Sequence, residues 1–255
     1  MPDNATPAIP HLDPVTTPGL APNGFELVVP DDPTGAPTVV LVHGGAWVAG
    51  SPDSLQGLAE GLADRGAIVV NLGYSTLMMG GGHPRTFDEL ACGIRQARAI
   101  GDQLGGSGEV IVAGHSAGAH MALVVALDDE RYGQDCLFDG SARPDRFVGL
   151  AGFYDIDAAD LLLQGFLGGS RVEVPEVWDA VDPAVLVAEA APGLGEFPVR
   201  FHVGDQDELA PLRMSRVLSD AMEAAGADAT TEPIPGVDHF TIMSPGVSAD
   251  LVLAE

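Results

Sequence analysis

Residues 109–127 read EVIVAGHSAGAHMALVVAL, and this stretch decides the fold. Glu109 to Ala113 are rich in β-branched side chains and read as a strand, while Ala119 to Leu127 read as a helix. Between them lies Gly114-His115-Ser116-Ala117-Gly118. The pattern Gly-x-Ser-x-Gly carries little weight alone in a chain with 33 glycines. Between a strand and a helix it becomes a nucleophile elbow, a sharp turn that lifts a strained serine clear of the backbone. Such a turn closes only with small flanking residues, and Gly114, Ala117 and Gly118 supply them.

Outward from the elbow, short apolar runs alternate with segments of helical period. The expected strands are Phe25–Val29, Thr38–Val42, Ala67–Asn71, Glu109–Ala113, Phe147–Ala151, Val199–Val203 and Asp228–Ile234. Several are β-branched throughout, as strands covered on both faces must be. Leu55, Leu58 and Leu62 mark one helix face, and Phe87, Leu90, Ala91, Ile94 and Ala97 another. Thr86 with Glu89 reads as a capping box at the start of the second. Met214, Leu218 and Met222 stripe a later helix that ends at a left-handed Gly226. Alternation of this kind predicts an α/β domain with a mostly parallel central sheet and helices on both faces.

The 255 residues suffice for one large domain, expected over 25–255. Residues 1–24 hold prolines at 2, 7, 10, 14, 18 and 22 and read as an extended arm. The alternation breaks at about 152–192, where Leu161, Leu162, Leu163, Phe166 and Leu167 cluster, and an inserted cap is expected there. With 46% hydrophobic residues and no apolar run of membrane-spanning length, the composition is that of a soluble globular chain. The start, Met1-Pro2-Asp3-Asn4, has no feature of a secretory signal, so a cytoplasmic location is expected. Cys92 and Cys136 fit neither a disulfide framework nor a metal spacing and read as packing residues. The net charge is −26, and all 11 basic residues are arginine. That field repels phosphate backbones and anionic membranes, so neither nucleic acid nor membrane is an expected partner. It fits equally an adaptation to salt and the acidic surface of a GC-rich genome. No oligomeric state follows from the sequence.

A serine hydroxyl needs a base within hydrogen-bond reach and a third group to hold that base. The order Ser, Asp, His is met by Gly204-Asp205-Gln206-Asp207-Glu208 after one late strand and Asp238-His239 after the next. Ser116 is the expected nucleophile, His239 the base and Asp207 its orienter, with Asp205 better placed to brace its turn. His115, His120 and His202 read as packed or hydrogen-bonded side chains. Attack on a carbonyl also needs N–H donors for the developing oxyanion. His43-Gly44-Gly45-Ala46-Trp47 follows a strand in the required place, so Gly44, Gly45 and Ala46 are candidate donors together with Ala117, and His43 braces the loop. Trp47, Tyr74, Phe153 and Tyr154, with Phe166, are candidate substrate-binding aromatics. No convincing metal-ligand set appears around Asp205 and Asp207.

These motifs, His-Gly-Gly-x-Trp at 43–47 and Gly-His-Ser-Ala-Gly-Ala-His at 114–120, resemble those of the α/β-hydrolases, in particular carboxylesterases and kynurenine formamidases. Tyr74, Asp88 and Asp182-Pro183 also fall where those esterases have counterparts. Ala46, His115 and Ser75 depart from the hormone-sensitive-lipase pattern. The resemblance implies hydrolysis of a small-molecule ester or amide through an acyl-enzyme, with no metal or organic cofactor. An ester of a small or medium acyl compound is the leading expectation, an aryl formamide such as N-formylkynurenine the alternative, and a non-catalytic binding module the alternative of another class.

Overall fold

The computed structural model describes residues 24–190, 194, 195 and 197–254, so all but the last residue of the expected proline-rich arm lies outside the described residues. The strands are β1 Phe25–Val28, β2 Thr38–Val42, β3 Ile68–Leu72, β4 Val110–His115, β5 Arg146–Leu150, β6 Pro198–Gly204 and β7 Asp228–Ile234. They form one sheet in the order β1-β3-β2-β4-β5-β6-β7. β1 runs antiparallel to β3, and all other neighbours are parallel.

Every residue of β2, β3, β4 and β5 is buried, which is why these segments lack a polar alternation. Helices cover both faces. On one face α2 (Arg85–Gln103), α3 (Ala117–Leu127) and α7 (Leu212–Ala224) pack over Val40, Val70, Val112 and Phe147. On the other, α1 (Gln56–Ala63) and α8 (Pro245–Leu253) pack over Val39, Leu41, Val69, Ile111 and Val148. This period-two division of each strand between two cores fixes the register.

The chain leaves β2 for β3 on one side, then returns to place β4 on the other. Such a reversal opens a crevice beyond the carboxyl ends of β2 and β4, where ligands bind in open α/β sheets.

The segment after β5 folds into helical pieces: a 3-10 turn at Ile156–Ala159, α4 (Asp160–Leu167), α5 (Pro175–Val181) and α6 (Pro183–Ala190). Arg171 fastens them together, donating to Asp182 at 2.7 Å, to Asp179 at 3.3 Å and to Asp157. α6 packs against α3 and α7 as part of the helix layer.

Two local readings of the sequence are overturned. Thr86 and Glu89 form no capping box. α2 begins at Arg85, and Thr86 Oγ1 instead donates to Ser75 O at 2.7 Å and accepts from Gly82 N–H. The buried Glu89 carboxylate accepts the N–H and hydroxyl of Ser75 at 2.7 and 2.9 Å, so the pair stitches the loop after β3 to α2. Cys92 and Cys136 are joined by a disulfide, with Cα atoms 5.4 Å apart across 44 residues. The partnership arises because the loop after α3 lies along α2. There Arg95 donates to the carbonyls of Asp129, Tyr132, Gly133 and Gly140, and Asp88 accepts from Gly133 N–H.

The elbow's packing against β2 makes a prediction. A Cβ on Gly118 would lie 2.1 Å from His43 O and 2.4 Å from Val42 O, whereas one on Gly246 would meet nothing within 4 Å. Gly118→Ala lowers the unfolding free energy by about 3 kcal/mol or more. Gly246→Ala changes it by less than about 1 kcal/mol. Urea titrations of both variants compare the two sites directly.

Candidate active site

Ser116 stands between β4 and α3 with φ 54° and ψ −122°, a strained conformation for a residue bearing a Cβ. Its neighbours hold it there. Ser116 N–H donates to Leu150 O of β5 at 3.1 Å, and its carbonyl accepts from His120 N–H at 3.2 Å and Phe153 N–H at 3.3 Å.

The loops after β6 and β7 are zipped together by backbone bonds, Asp205 N–H to Ile234 O and Gln206 N–H to Val237 O, both 3.0 Å. Asp205 spends its carboxylate on Gly236 N–H at 2.8 Å, bracing the turn. Asp207 is buried and aims inward. One carboxylate oxygen accepts from Leu209 and Ala210 N–H at 2.9 and 2.8 Å, and the other accepts from His239 Nδ1–H at 2.8 Å. A carboxylate cannot donate, so the proton sits on Nδ1 and leaves Nε2 bare. That nitrogen lies 3.0 Å from Ser116 Oγ, as an acceptor for the hydroxyl proton.

The loop after β2 is a compact turn in which Val48 and Ala49 N–H both donate to Gly45 O at 3.1 Å. Gly45, Ala46 and Trp47 have φ values of 128°, 53° and 61°. Two non-glycine residues in this region need outside support. Trp47 provides it: its indole N–H donates to His120 Nδ1 at 3.2 Å, and His120 Nε2–H donates to Val181 O at 2.8 Å. Tyr74 stacks on His43 with ring centroids 4.1 Å apart and donates its hydroxyl to His43 O at 2.7 Å. Burial raises the Tyr74 phenol well above its ordinary value and keeps it a donor.

Ser116 and His239 open onto a cavity of about 360 Å³. Its walls are Gly45, Ala46, Trp47, Ala117, Phe153, Ala158, Ala159 and Leu162, with His115 at its base and Leu209 and Phe240 at the mouth. The N–H groups of Ala46 and Ala117 have no acceptor among the described residues and lie beside the serine, Ala117 at the positive end of α3. Leu162, Leu209 and Phe240 are 47%, 55% and 62% exposed, so the mouth itself is apolar.

The structure brings together Ser116, Asp207, His239, Gly45, Ala46, Ala117, Trp47 and Phe153. Four other expected residues, Gly44, Tyr74, Tyr154 and Phe166, do not line the cavity. Gly44 packs beside the elbow, where a Cβ would come within 2.8 Å of His115 Nδ1 and 3.0 Å of Ser116 Cβ. Tyr74 braces the loop from behind. Tyr154 lines a separate hollow of about 280 Å³ with Ile156, Met214 and Leu218, and its hydroxyl is lodged against Gly149 and Gly152. Phe166 is likewise buried, against Phe87. The sequence reading missed His115, Ala158, Ala159, Leu162, Leu209 and Phe240. Leu209 and Phe240 adjoin Asp207 and His239 so closely in sequence that their neighbourhood was a usable signal. Among the described residues no group of His, Cys, Asp or Glu could hold a metal ion, and no helix is long and apolar enough to cross a membrane.

A mostly parallel sheet with serine, acid and histidine in that order after β4, β6 and β7 has the layout of the α/β-hydrolase class. The chain belongs to the BD-FAE family of that class, which matches residues 26–222. Among its relatives is the kynurenine formamidase of Danio rerio, 25% identical over 220 residues, covering 86% of this chain and 71% of the relative. Esterase LipC of Mycobacterium tuberculosis is 29% identical over 221 residues, 80% of this chain, and the match spans only 53% of LipC. The propionate-bound esterase Est2 of Thermogutta terrifontis shares the fold, with a TM-score of 0.66 and 19% identity over 84% of this chain and 79% of that one.

Burial sets the acid stability of this region. It pushes His115 and His120 down to about 4 and also lowers His43, His83 and His202. The unfolded chain takes up protons on His115 and His120 near pH 6.5, whereas the folded chain does so only nearer pH 4. Stability is therefore full above about pH 6.5 and falls as pH drops toward 4, by roughly 3 kcal/mol for each of His115 and His120. Denaturant midpoints measured between pH 8 and pH 4 should decline over that window, and a midpoint that stays flat would contradict it.

Proposed function

We propose that this hydrolase cleaves uncharged carboxylic esters of small or medium acyl groups through an acyl-enzyme, with Ser116 as nucleophile, His239 as base and Asp207 as its orienter. The observation that carries the reading is the Asp207–His239–Ser116 chain, with steps of 2.8 and 3.0 Å, opening onto an apolar cavity. Ser116 Oγ attacks the ester carbonyl as its proton passes to His239 Nε2. Ala46 and Ala117 N–H, with Gly45 N–H beside them, receive the oxyanion. His239 then protonates the departing alcohol, and deprotonates the water that attacks the acyl-enzyme. Asp207 keeps the imidazole in the tautomer that each step needs. Trp47 and Phe153, edge to face at 5.7 Å, wall the acyl group. The segment at about 152–192 acts as the cap, supplying Phe153, Ala158, Ala159 and Leu162.

The formamidase reading is favoured by the 25% identity to the Danio rerio enzyme. It meets an obstacle in the cavity. N-Formylkynurenine carries an ammonium and a carboxylate, and no arginine, aspartate or glutamate lines this wall. Burying those charges unpaired is costly.

A panel of p-nitrophenyl esters from acetyl to octanoyl, beside N-formylkynurenine, tests both readings. Ester kcat/KM should exceed that for the formamide by about 100-fold or more, and Ser116→Ala should lose about 10⁴-fold or more of the ester activity. Preference for the formamide would transfer the assignment to formamidase, and undiminished turnover by Ser116→Ala would refute the serine mechanism.

A further inference from the structure

We infer that His115, the variable residue of the elbow, is a positioning residue for the base: its imidazole straps the backbone of His239 to the nucleophile strand. The inference rests on the reading of Ser116 and His239 as nucleophile and base. His115 Nε2 lies 2.8 Å from His239 O, and the two rings are 4.9 Å apart. A carbonyl only accepts, so Nε2 carries the proton and donates.

The need for a strap follows from the topology. Serine and histidine leave β4 and β7, which are separated in the sheet by β5 and β6. Three strand spacings amount to roughly 14 Å, so the loop after β7 reaches back across two strands to set Nε2 at 3.0 Å from Ser116 Oγ. The loop's other ties lie on either side of residue 239. Val237 O accepts from Gln206 N–H, and the Asp238 carboxylate accepts from Phe240 and Thr241 N–H. Asp207 holds the ring of His239 but not its backbone. Among the described residues the His239 carbonyl receives its one hydrogen bond from His115.

The other edge of the same imidazole rests on the loop after β2. His115 Nδ1 is bare, and Gly44 leaves it the room that a Cβ, 2.8 Å away, would take. One buried ring thus meets the elbow, the oxyanion loop and the base loop. Its loss leaves the fold's core in place but frees the base to drift, and a misplacement of about 1 Å costs on the order of 100-fold in rate.

The test compares His115→Gln, whose amide nitrogen can stand where Nε2 does, with His115→Ala and His115→Asn, which cannot reach. Ester kcat should fall about 10–100-fold in the alanine and asparagine proteins with KM little changed, and the labelling of Ser116 by a fluorophosphonate should slow in parallel. His115→Gln should recover most of both rates. An alanine variant that folds and keeps full kcat overturns the strap, as does a glutamine variant that melts like the wild type yet is as slow as alanine. If the substitutions prevent folding, proton NMR of the wild type decides: a His115 Nε2–H protected from exchange at neutral pH supports the strap, and its absence overturns it. Failure of the underlying reading shows separately, as turnover by Ser116→Ala.

Discussion

The carbonyl oxygens of Val42 and His43 press against Gly118, and the rest of the site depends on that contact. β2 and β4 pair in parallel with Val42 opposite Gly114, so their carboxyl ends leave the sheet side by side. The oxyanion loop and the elbow must turn away in the same few ångströms. A Cβ on Gly114 would strike Ala119, and one on Gly118 would strike the β2 carbonyls. Small residues there let the turn close, and closure forces Ser116 into its unfavourable backbone conformation. The strain persists because the surroundings over-determine it, through bonds from Ser116 N–H to β5 and to Ser116 O from α3 and Phe153. A serine held in this way has its backbone fixed in advance by its surroundings.

Histidines do much of the remaining bracing, and burial keeps them neutral. A neutral imidazole has one donor and one acceptor, so a single bond to a carbonyl fixes its tautomer and turns the other nitrogen into an acceptor or a bare edge. His120 uses this to link Trp47 with Val181, and His115 to link His239 with Gly44. Three segments distant in sequence converge on these two rings. The low pKa values that follow from burial also keep additional positive charge away from His239 at neutral pH.

The elbow, the strand order of serine, acid and histidine, and the parallel sheet were all legible in the sequence because each is written in local patterns. So was the choice between Asp205 and Asp207, since one stands at the turn's base and the other at its tip. What escaped was direction and distance. Tyr74, Tyr154 and Phe166 announce apolar bulk, but nothing local says that Tyr74 braces a loop from behind or that Tyr154 points at Gly149. Thr86 and Glu89 have capping-box spacing, yet the unpaired Ser75 N–H is a better partner than the helix end. The Cys92–Cys136 pairing depends on a loop folding back over α2, a tertiary event to which spacing is blind.

The character of the cavity follows from where its walls come from. Trp47 and the small residues of the elbow belong to the rigid sheet rim, while Phe153, Ala158, Ala159 and Leu162 come from a segment of short helices. That segment is anchored on one side by α6 in the helix layer and cross-tied by Arg171, so its inner edge is held at a set height above the serine. Asp157, Asp179 and Asp182 are paired with Arg171, and Ile156, Leu163, Phe166 and Leu167 turn inward, while Leu161 and Val172 face outward. A chain carrying a net charge of −26 therefore encloses a site whose walls carry no formal charge. In such a space the field of the Asp207 carboxylate is spent on His239 and two backbone N–H groups. What these walls offer a bound molecule is chiefly shape and apolar contact, with the Ala46 and Ala117 N–H groups as backbone donors beside Ser116.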